Sequence, residues 1–143
     1  PRRAEHAITL GASERSRNQL DTAVAWLDRA LELQPGSGEA LLQSGRVLLD
    51  RDESLAAIES LSGACEALPG TFVPRFELGM ALAKLGLDER ALPWLREALS
   101  VGPPATWDPQ AASSAVRRIE DAIRDAESRG TFVGPRSGNE SDG

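Results

Sequence analysis

The chain is written in a 34-residue period. Pro1, Pro35, Pro69 and Pro103 keep that interval, as do Gly11, Gly45 and Gly79, the alanines Ala23, Ala57 and Ala91, and the leucines Leu27, Leu61 and Leu95. A repeat of this length holds one helix–turn–helix unit. Such a unit cannot bury its own apolar face, so successive copies must stack into a solenoid.

Between one proline and the next, apolar residues follow the i, i+3, i+4, i+7 rule twice, with polar or glycine residues between the two stretches. The first unit reads as a helix from His6 to about Arg17, a turn at Asn18–Asp21, and a helix from Thr22 to Leu33 with Ala23, Leu27 and Ala30 on one face. Pro35 stops that second helix and fixes the connection onward. The pattern predicts corresponding pairs at Glu39–Asp50 and Leu55–Leu68, then at Val73–Leu85 and Glu89–Val101. The units are 4–37, 38–71 and 72–103.

After Pro103 the register fades. Asp108 followed by Pro109 is a favoured order for entering a helix. Ala112, Ala115, Val116, Ile119, Ala122, Ile123 and Ala126 then form one stripe with no turn inside it. Residues 104–129 are therefore read as a connector and a single helix that caps the apolar edge of the last unit. Residues 130–143 are rich in glycine and serine and read as a disordered tail, with Thr131, Phe132 and Val133 as its apolar exception. Pro1 stands one period before Pro35, where a preceding unit would close.

Composition narrows the function classes. The 143 residues are 41% hydrophobic, enough for one packed domain. A net charge of −6 argues against a nucleic-acid partner, because affinity for nucleic acid rests on cationic neutralisation of phosphates. No apolar run reaches the ~18 residues of a membrane span, and the N-terminus lacks the apolar segment of a secretory signal. Cys65 is the only cysteine, so no internal disulfide forms and the expected compartment is the cytoplasm.

The pattern resembles the tetratricopeptide repeat over residues 4–103. The small residue of that family's first helix corresponds to Gly11, Gly45 and Gly79. Its two alanines correspond to Ala23 and Ala30, Ala57 and Ala64, and Ala91 and Ala98, with Leu27, Leu61 and Leu95 as the bulky residues between them. Ala7, Leu41 and Arg75 stand where an aromatic is usual, and Ser44 replaces a leucine kept as Leu10 and Leu78, departures that weaken packing. The resemblance implies an all-α, right-handed α-solenoid of three repeats plus a C-terminal capping helix.

No residue set points to catalysis. His6 and Cys65 are single, so they assemble no metal cluster. A nucleophile elbow and a glycine-rich phosphate loop are both missing from the sequence. The chain is read as a non-enzyme with no metal and no cofactor. Cys65 takes the place of Leu31 and Leu99 and is read as a packing residue. Trp26 and Trp94 sit at equivalent places and are read as inter-repeat packing. Trp107, in the connector, either pins the cap or stands exposed as an anchor. Asn139-Glu140-Ser141 matches a glycosylation acceptor, read as chance.

By the resemblance, the first helices of successive repeats line a concave groove. Its candidate binding residues are Ile8, Ala12, Leu42, Gln43, Arg46, Leu49, Phe76, Glu77 and Met80. Ile8, Leu42 and Phe76 occupy matching places and form a row. That row is either a binding stripe, since large exposed apolar patches meet partners, or a set of repeat–repeat contacts. Chaperone-binding members hold a C-terminal carboxylate at five places, which here carry Ile8, Ala12, Gln43, Val73 and Glu77. None matches and Glu77 carries the wrong charge, so the expected partner is not a chaperone C-terminal carboxylate motif, and Arg46 reads as an isolated groove cation.

The function implied is a non-catalytic adaptor that holds a peptide or helix of a partner protein in its groove. The alternatives are a self-associating assembly unit, and thus a homo-oligomer, or an accessory domain of a larger enzyme. The partner's identity is not encoded in the repeat pattern.

Overall fold

A computed structural model describes the backbone of residues 2–142 and the side chains of residues 2–130. Every regular element among the described residues is a helix: α1 (Arg2–Ser16), α2 (Leu20–Leu33), α3 (Gly38–Asp50), α4 (Ser54–Ala67), α5 (Phe72–Lys84), α6 (Asp88–Val101) and α7 (Pro109–Asp142). Boundaries for α2 to α6 fall within two residues of those the pattern predicts, while α1 begins four residues earlier. The tail read as disordered over 130–143 lies, but for Gly130, outside the residues whose side chains are described, and the backbone of α7 runs on to Asp142.

The period reappears as packing. Each first helix meets its second helix through a glycine: a Cβ on Gly45 would lie 2.5 Å from Leu61 Cγ, one on Gly11 2.7 Å from Leu27 Cγ, and one on Gly79 2.7 Å from Leu95 Cδ2. A methyl group at any of the three would overlap a fully buried leucine, so only glycine permits this helix spacing. Ala23, Ala57 and Ala91 are fully buried in the same seams.

The turn inside each repeat is also periodic, in conformation rather than in residue type. Asn18, Asp52 and Gly86 all adopt the left-handed region, with φ of 61°, 64° and 78°. The following amide reaches back in each case, Gln19 N to Glu14 O at 2.8 Å, Glu53 N to Leu48 O at 2.8 Å and Leu87 N to Leu82 O at 3.0 Å. This six-to-one bond satisfies a carbonyl that the helix end leaves free. Asn, Asp and Gly tolerate this conformation best, Asn and Asp through local hydrogen bonding and Gly for want of a Cβ.

Stacking is asymmetric. α1 touches α3 and α3 touches α5, whereas the second helices approach only first helices and α7; among the described residues α2 does not meet α4, nor α4 meet α6. Helices that close up on one side and splay on the other produce a curved stack, with α1, α3 and α5 inside. α7 packs on α6 and α5, capped by Asp108 Oδ2, which accepts from the amides of Gln110 and Ala111 at 3.1 Å. Ala115, Ile119 and Ala126 are its buried face.

The apolar interior is uneven. One large cluster runs from Leu42 through α4, α5 and α6 to Ile119. The first repeat meets the second through two small groups: Ala7, Ile8, Ala30 and Ala40, and Ala23, Leu27 and Val47.

Candidate binding groove

The concave face is built by the first helices. Ala12 on α1, Gln43, Arg46 and Leu49 on α3, and Glu77 and Met80 on α5 are all half-buried, with part of each side chain open to solvent. Their helices are anchored from behind by the glycine–leucine seams, so these side chains stand on a rigid floor.

The apolar row turns out differently from its reading as a binding stripe. Ile8 is 9% exposed, Leu42 5% and Phe76 7%. Ile8 packs with Ala7, Ala30 and Ala40, and Leu42 and Phe76 belong to the large core. Phe76 stacks on Phe72 with ring centroids 5.4 Å apart, and the Arg118 guanidinium of α7 lies 5.2 Å from its centroid. These three are repeat–repeat contacts, because their positions face the neighbouring repeat as well as the groove.

Charges on this face are paired across repeats. Arg15 donates to Asp50 at 2.7 Å, joining α1 to α3, and Arg46 Nε lies 3.1 Å from Glu77 Oε2, joining α3 to α5. The second pair is close without hydrogen-bond alignment. Arg46 is therefore not the isolated cation expected, and Glu77 is not a bare negative charge. The signal was present: opposite charges separated by a period less one helical turn, or a period plus one residue, meet on adjacent first helices.

Two open depressions lie where the first helices begin, the second walled largely by the turns between repeats. One, of about 510 Å³, is lined by Glu5, Ile8, Thr9, Ala12, Gln34, Ser37, Glu39 and Gln43, so the little of Ile8 that is exposed faces this hollow. The other, of about 540 Å³, is lined by Leu42, Leu68, Phe72, Val73, Pro103 and Pro104, with Glu39 as the wall it shares with the first. Gln43 Nε2 donates to Glu39 Oε1 at 3.1 Å.

Four other residues resolve elsewhere. Trp107 meets Phe72 edge to face at 5.7 Å, so it pins the connector to α5. Trp94 packs against the core, but Trp26 is 37% exposed and lies outside the core clusters, so inter-repeat packing does not account for it. Arg75 is 6% exposed and fully engaged: it pairs with Glu97 and donates to the carbonyls of Leu68 at 3.1 Å and Thr71 at 3.0 Å. Instead of weakening packing at an aromatic position, it ties α5 to α6 and to the preceding turn.

Cys65 is buried, and desolvation pushes its thiol up to about 11, against a smaller lowering by Arg75. Among the described residues no three His, Cys, Asp or Glu side chains gather as metal ligands, and no helix is long and apolar enough to cross a membrane.

The architecture has close counterparts among solved structures. The TPR2B-domain:pHsp70 complex of yeast Sti1 superposes with a TM-score of 0.75 at 19% identity, covering 90% of this chain and 99% of that one. The first TPR of Spaghetti (RPAP3) bound to the HSP90 peptide SRMEEVD gives 0.71 at 15% identity, covering 86% and 97%. The Arabidopsis OM64 TPR domain gives 0.70 at 18% identity, covering 85% and 98%. No protein-family profile and no curated protein sequence matches the chain. At these identities the shared property is the fold, and the fold is that of tetratricopeptide-repeat domains. The exclusion of a chaperone C-terminal motif does not stand in full: two of these similar folds are complexes with Hsp70 and HSP90 peptides, and the repelling charge assigned to Glu77 is neutralised by Arg46.

Proposed function

We propose that this tetratricopeptide-repeat solenoid is a non-catalytic protein-interaction module that holds a segment of a partner protein along its concave face. The observation that carries the reading is the half-open line of Ala12, Gln43, Arg46, Leu49, Glu77 and Met80 on three helices, beside two open depressions of about 510 and 540 Å³. The buried residues Ile8, Leu42 and Phe76 act beneath it as the floor. A scaffold ordered before binding loses little entropy on association, so a few anchors can set the affinity. Similar folds that carry peptides support this reading.

Substituting Leu42 or Phe76 would test folding rather than binding. The informative variant is Ala12→Arg with Met80→Arg, which fills the open face of α1 and α5. Partners captured by the wild-type chain and identified by mass spectrometry are expected to be lost to this variant while its helical circular dichroism is kept. Undiminished capture by the folded variant would remove the groove from the account.

A further inference from the structure

The charges of the groove do not cancel uniformly. Arg15 is matched by Asp50 and Arg46 by Glu77, but Glu5 and Glu39 form no ion pair among the described residues. Gln43 gives Glu39 a neutral hydrogen bond, which leaves its charge intact. Glu5 and Glu39 lie in the first turns of α1 and α3. Both line the same depression, with Thr9, Gln34, Ser37 and Gln43 as its other polar walls and no basic residue.

Glu39 is also the boundary of the second depression, whose walls are Leu42, Leu68, Phe72, Val73 and the two prolines Pro103 and Pro104. One carboxylate thus separates an anionic hollow from an apolar one. Building on the groove reading, we propose that the occupant is a peptide segment carrying a lysine or arginine within two residues of a large apolar side chain. The cation sits between Glu5 and Glu39, and the apolar residue enters the hollow beside Phe72. Charge complementarity selects the first of these and burial the second. In an extended segment, side chains two residues apart point to one face, which matches two hollows sharing a wall.

Fluorescein-labelled octapeptide pools, degenerate except for a fixed Arg-Xaa-Leu, Gln-Xaa-Leu or Glu-Xaa-Leu, test this by anisotropy against the whole chain. The Arg pool should bind most tightly at low salt. Glu5→Gln with Glu39→Gln should weaken it about two- to fivefold, the effect of losing exposed ion pairs. Glu5→Lys with Glu39→Lys should transfer the preference to the Glu pool. Equal binding of the Arg and Gln pools, or tightest binding of the Glu pool to the wild type, would overturn the assignment while leaving the groove in place. Failure of every pool to bind, or binding unaffected by Ala12→Arg with Met80→Arg, would overturn the groove reading itself.

Discussion

Arg129 holds Asp88 in a two-point grip, Nε 2.6 Å from Oδ2 and Nη2 2.8 Å from Oδ1, across 41 residues of chain. The grip fastens α7 to the first turn of α6, beside a second pair in which Arg96 donates to Glu127 at 2.6 Å. The hydrogen bond from Arg129 is the main cause that holds the Asp88 carboxyl below the ordinary aspartate range, with the Arg129 charge adding to it. A carboxyl lowered on folding contributes its stabilisation above its unfolded-state value and loses it as pH falls through the folded value. Asp88→Asn should therefore lower the melting temperature at pH 7 and in low salt. The gap from wild type should close on acidification below the carboxylate range and shrink in 1 M salt.

Gly45 and Leu61 form one of three equivalent seams, and they should behave as a unit. Gly45→Ala places a methyl 2.5 Å from Leu61 Cγ and is expected to cost about 1–3 kcal/mol by overpacking. Leu61→Ala should cost about 2–5 kcal/mol through the cavity it leaves. Because the new methyl occupies space that the leucine vacates, the double variant should be less destabilised than the sum of the two. Urea titration of all four proteins reads that coupling.

Arg75 and Glu97 are unequally buried, and the two ends of the pair should respond differently. Glu97→Gln strands a buried guanidinium with only carbonyl partners and is expected to cost about 1–3 kcal/mol. Arg75→Met keeps the volume and leaves Glu97, half exposed, free to hydrate, and should stay within about 1 kcal/mol of wild type. Denaturant midpoints of the two single variants decide whether the burial asymmetry controls the outcome.

Cys65 should be chemically silent in the folded chain. Its thiol is buried and raised to about 11, so the reactive thiolate is scarce at neutral pH. Labelling by a thiol reagent at pH 7.5 should follow global unfolding rather than occur in the native state. A thiol raised on folding stabilises fully below its unfolded value and less as pH climbs, so stability should decline between about pH 9 and 11. Cys65→Ala should remove that alkaline component.

The period made the helices and their seams legible because Gly, Ala and Leu repeat as letters at the places where backbones meet. The left-handed turn was not legible, since Asn18, Asp52 and Gly86 share a conformation and not an identity. The groove was only half legible. The matching places of Ile8, Leu42 and Phe76 follow from the period, but apolar spacing does not distinguish a residue looking into the groove from one pressed beneath the neighbouring repeat. The role of Arg75 is hidden for a related reason: a charge at an aromatic position looks like a defect until its partner, 22 residues away, is brought beside it.

The division of the interior into one large and two small clusters has a kinetic side. Opening of a stacked array proceeds unit by unit, each held by its own contacts and those of its neighbour. The first repeat, joined to the second by alanines, Ile8, Leu27 and Val47, should exchange its amide hydrogens faster than α5 and α6. That same repeat supplies Glu5, Thr9 and Ala12 to one wall of the groove. A bound segment would then slow exchange most in α1 and α2, so that occupancy is written into the more weakly held end of the repeat stack.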